Sequence, residues 1–123
     1  MRGLERFHRR IDEIVAVDEL AATFLAANEL QRAVSAIQKS SALTEDLEDP
    51  RPMRNPVVHH WTAYRVYGTL GDVARAAAEL SAAHRAYEVR RDAIGDPSLR
   101  ASFEAIPLHR ELREALLVTV PDG

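Results

Sequence analysis

Histidine is the residue type with the most chemistry to offer in this chain, which has five His and no Cys. His59 and His60 are neighbours. On a helix, adjacent side chains diverge by about 100°, so the pair is not expected to share a metal ion. His8 with Asp12, and His84 with Glu88, stand four residues apart. That spacing puts two side chains on one helical face, where they form ordinary surface pairs or, more rarely, hold an ion. The chain has no HExxH motif and no thiolate ligands, so the surface pairing is adopted and no metal or other cofactor is expected. The serines Ser35, Ser40, Ser41, Ser81, Ser98 and Ser102 lie in or beside expected helices. None sits in a Gly-rich turn that would expose its hydroxyl at a strained elbow. No GxxxxGK or GxGxxG cradles a phosphate. Asp12-Glu13 and Glu45-Asp46 read as solvated helix faces. Catalysis is therefore not expected.

Binding chemistry has more to stand on. Trp61 and Arg65 are one helical turn apart and belong to the types enriched at protein–protein contacts; the competing reading puts Trp61 in the core. Arg2, Arg6, Arg9 and Arg10 alternate with Leu4, Phe7 and Ile11. Such an amphipathic pattern suits a membrane surface or nucleic acid, but Glu5, Asp12 and Glu13 interrupt the charge. A core-facing stripe with arginines toward water is the better reading, and Arg90-Arg91 is read the same way. The net charge of −3 gives no global attraction to nucleic acid or anionic lipid. No run approaches the roughly 20 apolar residues needed to span a bilayer. MRGLERFHRR lacks the apolar stretch of a secretory signal. Lys39 is the single lysine among 16 basic residues, and Ala is abundant, which suggests a GC-rich bacterial source and, with no Cys, a cytoplasmic setting.

The elements that carry these residues are all expected to be helices. The 46% apolar and 28% charged composition is that of one globular domain. Leu4, Phe7, Ile11 and Ile14, then Val17, Leu20 and Phe24, recur at three-four spacing and predict a helix from about Gly3 to Ala27. Asn28 punctuates, and a second helix follows to about Leu47 on Leu30, Val34 and Ile37. Three prolines between residues 48 and 56 mark the clearest loop. Asn55-Pro56 then opens a third helix, bearing Val57, Trp61, Tyr64 and Tyr67 and ending near Gly68 to Gly71. Asp72 caps a fourth, with Val73, Ala77, Leu80, His84, Tyr87 and Ile94 as its stripe, and Gly95 ends it. Asp96-Pro97 starts a short helix with Leu99, Phe103 and Ile106, and Pro107 starts a last one through Leu112 and Leu116.

A shift of 43 residues superposes two stretches of the chain. Leu20 falls on Ala63, Phe24 on Tyr67, Asn28 on Gly71, Glu29 on Asp72, Ala33 on Ala76, Ile37 on Leu80 and Ser40 on Ala83. The pattern describes two antiparallel helices joined by a tight turn, with a small Ala at the closest approach. It resembles the tetratricopeptide repeat, first through Leu20-Ala21, Phe24, Asn28, Ala33, Ile37 and Ser40, and again through Tyr67, Leu70-Gly71-Asp72, Ala76, Leu80 and Ala83. Tyr64 stands where that family prefers a small residue. The period exceeds the family's usual ~34 residues, with the excess placed in the proline-rich loop. The segment from His60 to Leu116 is similar to the terminal repeats of large bacterial signalling proteins (nucleotide cyclases, ATPases and transcriptional activators) through Pro97, Leu99, Arg100, Phe103, Ile106, Pro107 and Arg110.

The resemblance implies an all-α fold of about two antiparallel hairpins plus C-terminal capping helices: residues 1–47, a loop at 48–56, a second hairpin at 57–95 and caps at 96–118. It also implies a concave protein-binding groove lined by the first helix of each hairpin, at Val15, Asp18, Ala22 and Leu25, then Val58, Trp61, Arg65 and Thr69. Two hairpins fall short of the three repeats such stacks usually need, and their ends are apolar unless capped. The chain is expected to cap itself, to self-associate through Leu4, Phe7, Ile11 and Ile14, or to belong to a longer array. The expected function is a non-catalytic module for a protein or peptide partner, with no nucleic acid or membrane partner. A stand-alone helical homodimer without a groove ligand is the alternative, and a small helical enzyme or metal protein comes third.

Overall fold

A computed structural model describes the backbone of residues 2–45 and 56–119, and side chains within 12–45 and 56–117. Among the described residues, six α-helices follow in order: α1 (Arg2–Ala26), α2 (Leu30–Glu45), α3 (Pro56–Leu70), α4 (Val73–Asp92), α5 (Pro97–Glu104) and α6 (Pro107–Thr119). No strand occurs among the described residues. The fold is all-α, as the three-four periodicity requires. The proline-rich loop and Leu4, Phe7 and Ile11 lie outside the described side chains.

α1 pairs with α2 and α3 with α4, and α3 also packs against both helices of the first hairpin. The two hairpin turns are copies of one another at atomic detail. Asn28 has φ 61° and Gly71 has φ 91°, both left-handed. Each occupies the position just past a helix end, where the left-handed residue lets the chain reverse and satisfy the last carbonyls. The Glu29 amide donates to the Phe24 carbonyl at 2.8 Å, and the Asp72 amide to the Tyr67 carbonyl at 3.0 Å. Arg32 lies over the Phe24 ring at 5.9 Å and Arg75 over Tyr67 at 5.5 Å. Both arginines also pair with the acid three residues before them, Glu29 and Asp72. Every one of these matches obeys the 43-residue shift.

Ala33 and Ala76 are buried where α2 meets α1 and α4 meets α3. Ala21, Val34, Ile37, Ala63, Val66 and Tyr67 complete the core at the centre of the stack. A second cluster forms around Val57, Leu80, Ala83, Tyr87 and Leu112, where α6 covers the second hairpin. The buried row of α4 is Ala76, Leu80, Ala83 and Tyr87. Val73 and Ala77, expected on that stripe, are exposed, because the alanine-rich surface of α4 blurs which of its faces is apolar.

The C-terminal helices are held by polar groups on aromatic rings. Asp72 and Asp96 cap α4 and α5 through their Oδ1 atoms, accepting from the amides of Arg75 and Leu99. Phe103 stacks on Tyr87 at 5.6 Å. The buried His109 ring fills the space beside both, its Nδ1 donating to the Phe103 carbonyl at 2.7 Å. Arg113 donates to Tyr87 Oη and to the Glu104 carbonyl, each at 2.9 Å, and Arg100 clamps the Ile94 carbonyl. Of the expected stripe on α5, Phe103 packs inward, while Leu99 and Ile106 are exposed.

Candidate functional site

Among the described residues, three places carry chemistry or an unfilled surface. The first is the seam where α3 meets α1, α2 and α4. His59 is buried and turns toward the first hairpin. Its Nδ1 donates to the Asp18 carboxylate, at 2.8 Å to Oδ1 and 3.0 Å to Oδ2. Both side chains are under a tenth exposed. A carboxylate so enclosed persists only with a partner of this kind. Asp18 therefore leaves the set of groove-lining positions: it is a core residue that ties α1 to α3.

Ser40 completes a Ser, His and Asp set on paper. Its Oγ lies 3.4 Å from His59 Nδ1 and donates to the Ile37 carbonyl at 3.2 Å. A nucleophile relay needs serine and aspartate on opposite ring nitrogens. Here both face the same nitrogen, and Ser40 is fully buried. The set is a packing motif.

His60 turns toward α4, and its Nδ1 donates to Glu79 Oε2 at 2.7 Å. Both are about a quarter exposed. The two imidazoles meet edge to face with centroids 4.9 Å apart. One donor atom from each of His59, His60 and Glu79 lies within 4.8 Å of the others. Helical divergence, which counted against a shared ion, fixes only where the Cβ atoms point. The rings reach further, so that one donor atom of each comes near the other and near Glu79 although the two side chains bond to different helices. Glu79, twenty residues away in sequence, was not legible as the third member. His84 and Glu88 form the surface pair expected of them, at 2.9 Å.

The second place is a cleft of about 500 Å³ between α3 and α6. Trp61 and Tyr64 lie in its wall, their rings tilted at 35° with centroids 5.2 Å apart. Arg65 borders it on α3, and Glu111, Glu114 and Ala115 border it on α6. Trp61 is half-buried, so both readings of it hold in part: it packs against the second core cluster and also shows a face to the cleft. The other expected groove positions are not in this cleft. Val15, Ala22 and Leu25 are half-buried on α1, Val58 and Thr69 are exposed on α3, and the Thr69 hydroxyl bonds back to the Arg65 carbonyl. Glu111 and Glu114 have no sequence signal of their own, because a charged residue on an amphipathic helix looks the same in a cleft as in open water.

The third place is the outer face of the first hairpin, a shallow depression of about 410 Å³ lined by Val17, Leu20, Phe24 and Ala36 with Arg32 and Lys39. Under the 43-residue shift, Leu20 corresponds to Ala63. Leu20 is 50% exposed and Ala63 is fully buried. The face that the second hairpin seats on the first is thus uncovered on the first. Ile14, expected to be available for self-association, is 1% exposed and belongs to the core.

No family model, curated protein or solved structure matches the chain. No helix among the described residues is long and apolar enough to cross a membrane.

Proposed function

We propose that this chain is a non-catalytic protein–protein interaction module of tetratricopeptide type, regulatory or scaffolding within a cytoplasmic bacterial signalling system. Its ligand is a peptide segment that pairs an apolar side chain with a basic one. The observation that carries this reading is the cleft between α3 and α6. It offers the faces of Trp61 and Tyr64 to an apolar group and the carboxylates of Glu111 and Glu114 to a cation. Arg65 at its edge suits a backbone carbonyl or an acidic neighbour. Duplicated turns and duplicated alanine crossings support a repeat scaffold, on which such clefts recur.

Trp61 is the sole tryptophan, so its emission reports on the cleft directly. Short peptides carrying Leu or Phe beside Arg should shift that emission saturably. Glu111→Lys combined with Glu114→Lys should weaken binding at least tenfold, and an acid-for-base peptide should not bind. Emission that responds to none of these peptides would sink the proposal.

A second reading, a homodimer, is favoured by the uncovered Leu20 and Phe24 face of the first hairpin.

A further inference from the structure

We propose that His59, His60 and Glu79 form a binding site for one divalent transition-metal ion, zinc by its ligand set, within the second hairpin where α3 packs against α4. The site is separate from the peptide cleft and does not depend on it. Two imidazoles and one carboxylate are a recurrent three-ligand set for zinc, with the fourth position left to water. The hard cations calcium and magnesium are disfavoured, since they select oxygen donors.

The strongest support comes from a residue outside the ligand set. The buried Asp18 carboxylate accepts the Nδ1 proton of His59. That bond fixes the ring's tautomer, commits Nδ1 and leaves Nε2 as the nitrogen with a free lone pair. It also holds the ring's orientation. A carboxylate behind a ligating histidine is the usual outer partner of zinc sites. Asp18 sits on α1, 41 residues from His59, so the orientation is set by the packing of the two hairpins and not by local sequence.

The other two ligands are nearly in place. His60 Nδ1 and Glu79 Oε2 are 2.7 Å apart, joined by one proton. A cation replaces that proton, since bound ligands must be deprotonated. The pair then opens to roughly 3.3 Å, the span of two donors about 2.0–2.1 Å from a tetrahedral ion. Side-chain exposures of 27% and 22% give the ion a path from solvent and room for a water ligand, while His59, at 3%, closes the inner side. The ion would lock α3 to α4 directly and α1 through Asp18. Its role would be to rigidify the seam.

The test uses the full chain, freed of metal by chelation and titrated with zinc chloride in a calorimeter. One ion per chain is expected, together with a rise in Tm that a chelator reverses. His60→Asn and Glu79→Gln should each weaken binding at least tenfold, and Asp18→Asn by about 10–100-fold, the usual effect of removing an outer partner. His60 and Glu79 are partly exposed, so those two variants should keep the parent's dichroism. His84→Asn controls for capture by the surface His84–Glu88 pair and should bind as the parent does. In the unaltered chain, zinc should shift the imidazole resonances of His59 and His60 and leave those of His84 and His109 in place. No stoichiometric uptake, uptake that survives both His60→Asn and Glu79→Gln, loss of uptake in His84→Asn alone, or unmoved His59 and His60 resonances would each overturn the proposal.

Discussion

Asn28 and Gly71 hold the same left-handed backbone in the two hairpin turns, by different means. Gly71 adopts φ 91° without steric penalty, and a Cβ built there meets nothing within 4 Å. The cost of replacing it is therefore a backbone cost alone. Gly71→Ala should destabilise by about 1–2 kcal/mol, the penalty for an L residue in this region. Gly71→Asn should cost less, because the amide side chain tolerates the conformation, as Asn28 demonstrates one repeat earlier. Urea unfolding of the two variants gives the ranking, and an Asn variant less stable than the Ala variant would contradict it. These turn residues were legible in the sequence because their chemistry is local. Asp18 and His59 were not: what makes them partners is a contact between distant helices, and an aspartate on a helix face carries no mark of whether that face is wet.

At the scale of the elements, the hairpins depend on small residues at two equivalent crossings. Ala33 is fully buried and Ala76 nearly so. Either one replaced by Leu must push a helix away from its partner or force strained rotamers, at a cost of about 1–3 kcal/mol. Thermal melts of Ala33→Leu and Ala76→Leu should both fall below the parent, while Ala77→Leu, one position along on the exposed side of α4, should not. Equal melts for Ala76→Leu and Ala77→Leu would mean the hairpin register is wrong. Helix order, turns and caps followed from three-four spacing, Asn, Gly, Asp and Pro, because each acts over a few residues. The face of α4 was harder to read. Three consecutive alanines (Ala76, Ala77 and Ala78) give no apolar contrast, so burial there is decided by α3 and α6. The same limit applied to Glu111 and Glu114, whose place beside Trp61 is set by how α6 docks.

The whole molecule is a stack with unlike ends. One end of the second hairpin is covered by α6 and braced by the contacts among Tyr87, Phe103, His109 and Arg113. At the other end, the first hairpin presents Leu20 and Phe24 around a depression, where the equivalent Ala63 and Tyr67 are covered. A second copy meeting this face by two-fold symmetry would bury it and close the assembly. Light scattering should therefore give a dimer mass at about 100 micromolar, well above a typical micromolar dissociation constant. Leu20→Glu should return a monomer, because a charge buried at the contact would lack a partner. A monomer at that concentration in the parent chain would remove the homodimer reading and leave the peptide cleft unaffected.

The separation of 41 positions between Asp18 and His59 also has a consequence in time. Contacts within each hairpin close shorter loops, whereas this pair closes one that spans a third of the chain, which carries the larger loop-closure entropy. Each hairpin should thus be well formed in the folding transition state while the pair is still apart. Interactions absent from that state act on how fast a protein comes undone and leave the speed of its formation nearly untouched. The seam between the hairpins is then what sets the lifetime of the folded chain.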